Sequence, residues 1–84
     1  MKSGQKVSAA GLAVLAKQAR ERAGKTRQQA ADEFGVAWQS VFQAEEEPAR
    51  SLYRLRRRMI ERYAGFTVEG PFYELKPRSG QAVD

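Results

Sequence analysis

Apolar and small residues recur at helical spacing four times along this chain before giving way to short runs of β-formers. Leu12, Leu15, Ala16, Ala19 and Ala23 predict a first helix, with Gly24 as its left-handed stop. Thr26 followed three places on by Gln29 has the spacing of a capping box. It predicts a short second helix over 27–34 with Ala30, Ala31 and Phe34 inward. Gly35 then supplies a turn whose positive φ a side chain would resist. Val36, Val41 and Ala44 give a third helix, 37–46, its inward edge, which leaves Trp38, Gln39, Phe42, Gln43 and Glu46 facing outward. After Pro48, Leu52, Leu55, Met59 and Tyr63 mark one face of a fourth helix ending at Gly65, and Tyr53 and Ile60 mark a second stripe.

Beyond Gly65 the pattern changes period. Phe66, Thr67 and Val68, then Phe72, Tyr73, Glu74 and Leu75, flank a Glu-Gly-Pro turn and predict a β-hairpin. An isolated hairpin is marginal in water, so this one needs something to pack on. The expected organisation is a flexible N-terminus at 1–10, one mainly α domain with its C-terminal hairpin at 11–75, and a disordered tail at 76–84.

Composition narrows the chemistry. The 84 residues include no cysteine and no histidine, which removes disulfides, thiolate and imidazole chemistry and the usual zinc sites. With no phosphate-binding loop and no metal-ligand cluster in sequence, neither an enzyme nor a cofactor is expected. The opening KSGQKVSAAGLAVLA has the crude outline of a signal peptide, but its apolar run is short, polar-punctuated and continuous with a basic helical pattern. No segment approaches the ~20 apolar residues of a membrane span, and a cytoplasmic, nucleoid-associated location is expected.

Charge is more telling in its distribution than in its sum of +5. Residues 1–36 carry +4, 37–49 carry −3, 50–64 carry +5 and 65–84 carry −1. Two basic segments flank an acidic one, and a polyanionic partner is the simplest implication. The arginines at 50, 54, 56, 57, 58 and 62 also have a bland reading as a solvated helix face, because a helix scatters consecutive residues around its circumference.

The run ERAGKTRQQAADEFGVAWQSVFQAEEEP places Ala31 where two helices would cross, Gly35 in the turn, and Val36 and Val41 where the next helix is seated. In this respect 12–65 resembles the lambda-repressor-like helix-turn-helix family, which includes Cro and Xre-type regulators and many antitoxins. The resemblance implies a four-helix DNA-binding domain of a bacterium or phage, acting as a transcriptional regulator, usually a repressor. It implies an Arg20–Glu45 ion pair between the first helix and the end of the third. It also implies phosphate contacts from Arg27, Gln28, Arg50 and Arg54, and base reading in double-stranded DNA by Trp38, Gln39 and Gln43.

Departures accompany the likeness. Ala37 stands where a serine or threonine cap is usual, and Glu47 where glycine is common, which implies a different loop before the fourth helix. Trp38 has three readings: a DNA contact, a partly exposed structural aromatic, or part of a surface for a protein partner such as a toxin or another regulator. The last, with Phe42 and the acids at 45–47, defines the alternative function, a protein-interaction module such as an antitoxin or a phage accessory protein. Homodimerisation is expected, with Tyr53, Ile60, Phe66, Val68, Phe72 and Leu75 as the candidate interface, although hairpin pairing inside one chain would look the same in sequence.

Overall fold

A computed structural model describes residues 8–69 and 74–77. Four helices run in the order α1 (Ala9–Arg22), α2 (Arg27–Phe34), α3 (Trp38–Glu46) and α4 (Tyr53–Ala64). They make the protein mainly helical.

α1 begins three residues before Leu12, inside the stretch expected to be flexible. The reason is local: the Ser8 hydroxyl accepts a hydrogen bond from the Gly11 amide at 3.1 Å and caps the first turn. α2 has the full capping box, with Gln29 N donating to Thr26 Oγ1 at 3.0 Å and Thr26 N donating to Gln29 Oε1 at 2.8 Å. Gly35 closes it in the left-handed region, φ 66°, and Val36 N bonds back to Ala31 O at 3.0 Å. Three residues, Gly35 to Ala37, separate α2 from α3, so the turn fixes the angle at which α3 leaves α2. Ala37 contributes no side-chain cap.

Alanines dominate the helix crossings. Ala16, Ala30, Ala31 and Ala44 are fully buried beside Leu12, Val41, Met59 and Ile60, and Leu55 and Val68 complete the central cluster. Short side chains let the backbones approach closely, and a domain of this size gains its stability from such contacts. Phe34, Val36, Leu52, Tyr53, Tyr63 and Phe66 pack around this core half-buried.

Two strands, β1 (Phe66–Glu69) and β2 (Glu74–Pro77), pair antiparallel with Val68 opposite Leu75. β2 takes in Lys76 and Pro77, which the sequence pattern placed in the tail. Glu69, expected in the turn, instead ends β1 opposite Glu74, and residues 70–73, with the rest of the expected turn and Phe72, lie outside the described residues, as do 1–7 and 78–84.

Candidate functional site

The acidic run occupies the end of α3, with Glu45 and Glu46 in the helix and Glu47 as its C-cap. Glu45 is buried, and its carboxylate accepts from both arms of the Arg20 guanidinium, Nε to Oε2 at 2.5 Å and Nη2 to Oε1 at 3.0 Å. Bidentate pairing of this kind is the strong form of the interaction. Arg20 also donates to the Lys25 carbonyl at 2.7 Å, so one guanidinium ties α1 to α3 and to the loop before α2. Its hydrogen bonds to Glu45 raise the Arg20 pKa further, against the lowering effect of burial.

Arg27 does not stand free at the start of α2. Its Nε donates to Glu45 Oε1 at 2.9 Å and its Nη2 to Glu46 Oε2 at 2.6 Å. Glu46 also accepts from Lys17 Nζ at 2.7 Å, and that hydrogen bond, with the charges of Lys17 and Arg27, holds its carboxyl below the usual range. Glu47 pairs with Arg50 at 2.9 Å. Every carboxylate of the acidic run therefore faces a cation.

The outward face of α3 carries Trp38 and Gln39 exposed and Gln43 half-buried. Trp38 stacks on Phe42, centroids 5.5 Å apart and planes at 18°, and the Arg27 guanidinium lies 5.0 Å over the Phe42 ring. Gln28, exposed on α2, donates to Asp32 at 3.0 Å. Arg54 is exposed and makes no ion pair among the described residues. Among the proposed phosphate contacts, then, Arg27 and Arg50 are engaged by glutamates, and Arg54 is available.

Two members of the expected dimer surface are not surface at all. Ile60 is 0% exposed and Val68 1%, both within the chain's own core. Ile60 is not on an outward stripe with Tyr53, because α4 is buried on more than one side: Ile60 belongs to the core cluster formed by all four helices and Val68 of β1. Tyr53 and Phe66 stay half-buried, Phe72 lies outside the described residues, and Leu75 is described only by its backbone pairing.

Arg56 was hidden inside the arginine run. It is 2% exposed, and its guanidinium donates to three carbonyls, Ala44 at 2.8 Å, Arg50 at 2.9 Å and Glu47 at 2.8 Å. Ala44 belongs to the last turn of α3, whose carbonyls lack intrahelical partners, while the Glu47 and Arg50 carbonyls of the following loop also accept from the Arg50 and Leu52 amides at 2.9 and 2.8 Å. The signal was available: Arg56 lies four residues after Leu52 and before Ile60, between apolar residues of one face. Arg57 and Arg58 instead face outward, Arg57 pairing with Glu61 at 3.0 Å and Arg58 lying 5.0 Å over the Phe34 ring.

Glu33 forms a second polar cluster at the far end of α2. It accepts from the Tyr63 hydroxyl and from Lys25 at 3.3 Å, and the Tyr63 hydrogen bond is the main cause of its lowered pKa. Burial and the same hydrogen bond push the Tyr63 phenol up. Among the described residues no group of acids could hold a metal ion, and no helix is long and apolar enough to cross a membrane.

Comparison with family models, curated proteins and solved structures finds no match for this chain.

Proposed function

We propose that this chain is a sequence-specific DNA-binding regulator of transcription, a repressor of the lambda-repressor-like helix-turn-helix type, that reads the major groove with α3. The observation that carries the reading is the coupling of α2 through left-handed Gly35 to an α3 whose outward face offers Gln39 and Gln43. Neutralisation of Glu45, Glu46 and Glu47 by Lys17, Arg20, Arg27 and Arg50 supports it, because it removes the repulsion an acidic recognition helix would meet from phosphate.

Each glutamine can bond adenine N6 and N7, contributing about 1–3 kcal/mol of discrimination. Phosphates are met by the first amides of α2, by Gln28 and by Arg54, which orient the domain without reading sequence. One such helix covers few base pairs, so the functional unit is a homodimer on a two-fold-related site with half-sites about one helical turn apart. Selection of duplexes from a randomised library tests the reading: enrichment of one inverted-repeat motif supports it, and recovery of unenriched sequence counts against it.

A second reading, a protein-interaction module, draws on one observation, the 43% exposure of Trp38 beside Phe42.

A further inference from the structure

The outward face of α3 is divided lengthwise. At about 100° per residue, Trp38 and Phe42 fall along one edge and Gln39 and Gln43 along the other. The two edges differ in chemistry, one apolar and flat, the other rich in donors and acceptors.

The aromatic edge is held still by charge. Arg27 lies over Phe42 while bonded to Glu45 and Glu46, and those carboxylates are in turn held by Arg20 and Lys17. Phe42, beneath Arg27, also stacks with Trp38. Side chains from three helices thus order one exposed indole, which lowers the entropy lost when that ring meets a ligand.

The size of the patch limits what it can bind. Trp38 and Val14 are the large hydrophobics exposed among the described residues, and Val14 belongs to α1. A single ring backed by a half-buried one is far short of the roughly 800 Å² per partner in a stable protein interface. It suits a small apolar group presented next to hydrogen-bonding groups that glutamine can satisfy. In the major groove that combination is adenine beside the C5-methyl of thymine.

Resting on the reading that α3 enters the major groove, we propose that Trp38, backed by Phe42, is a specificity-determining surface for pyrimidine C5-methyl groups. Thymine is the ordinary source of that methyl, and 5-methylcytosine carries the same group at the same position. Gln39 and Trp38 then select a short A·T-containing step together, the glutamine through hydrogen bonds and the indole through the methyl.

The test uses the duplex preferred in library selection, with each thymine replaced in turn by deoxyuridine and each cytosine by 5-methylcytosine. Affinities are measured for the intact chain, Trp38→Ala and Trp38→Phe, after circular dichroism confirms that the variants are folded. Loss of one buried methyl predicts a roughly fourfold weakening at one or two deoxyuridine positions. Trp38→Ala should abolish that difference and Trp38→Phe retain part of it. A gain of similar size on 5-methylcytosine, again dependent on Trp38, would support the proposal with methylated cytosine as the source. Deoxyuridine and 5-methylcytosine effects absent at every position, or undiminished in Trp38→Ala, would overturn it, as would DNA affinity unchanged in Trp38→Ala. Failure to recover any preferred duplex would instead overturn the DNA reading on which it rests.

Discussion

Arg27 and Arg20 share one buried carboxylate: Glu45 Oε1 accepts from Arg27 Nε at 2.9 Å while Arg20 grips both oxygens. Three helices meet at that group. Removing it leaves a buried guanidinium uncompensated, a situation that costs about 3–5 kcal/mol. Glu45→Ala should therefore lower the unfolding free energy by roughly that amount, measured by urea denaturation, whereas Glu47→Ala, whose partner is exposed, should change it by less than about 1 kcal/mol. Equal effects for the two variants would show that Glu45 is not the internal strut.

Arg56 supplies a second test of buried polar structure. Its three carbonyl partners sit at the end of α3 and in the loop leading to α4. Arg56→Met retains much of the apolar stem but removes the guanidinium from all three carbonyls, of which those of Glu47 and Arg50 keep backbone amide donors, and a loss of about 1–3 kcal/mol is expected. Arg56→Lys should recover little, because a single ammonium cannot reproduce the planar fork. Full recovery by lysine, read from thermal melts, would contradict this role.

Ile60 separates the core from the dimer question. Its complete burial within one chain predicts that Ile60→Ala costs about 2–5 kcal/mol. The loss should be the same at every protein concentration and should leave the sedimentation-derived association constant of the folded fraction unchanged. A variant of normal stability with weakened self-association would restore Ile60 to an interface.

Stability should have a plateau bounded by acids on one side and a phenol on the other. The folded pKa values of Glu33 and Glu46 are lowered, chiefly by hydrogen bonds from Tyr63 and Lys17 respectively. A lowered carboxylate contributes stability that is present above its unfolded value, about 4.3, and lost as pH falls through the folded one. Tyr63 shifts in the opposite direction, so its contribution is complete below the unfolded value of about 10 and is lost as pH rises through its folded value. Urea midpoints should decline below about pH 4.5 and again above about pH 10, with a shallower acid decline in Glu46→Gln. Midpoints that rise on acidification would refute the assignment.

Much of this architecture was legible in the sequence because it is written in local rules. Thr26 and Gln29 announce α2, Gly35 announces the turn, and the spacing of Val36, Val41 and Ala44 seats α3. The Arg20–Glu45 contact came from family resemblance rather than from any local pattern. What escaped were interactions set by the approach of distant segments. Lys17 and Glu46 are 29 residues apart, and nothing local to either announces the other. Arg56 escaped because the neighbouring arginines were read as phosphate contacts or a solvated face, while helical geometry turns it inward among apolar residues. Ile60 escaped because a stripe on a helix reveals that a face is covered without revealing whether the cover is the same chain or another.

The central claim, that α3 reads DNA through its glutamines, is tested most directly by fluorescence-anisotropy titration of the library-selected duplex against a scrambled one, with the Gln39→Ala, Gln43→Ala double variant alongside at several salt concentrations. The account predicts a preference for the selected duplex that survives moderate salt and is largely lost in the double variant, while the residual affinity keeps its salt dependence. Binding that is equal for both duplexes and unchanged in the double variant would contradict it.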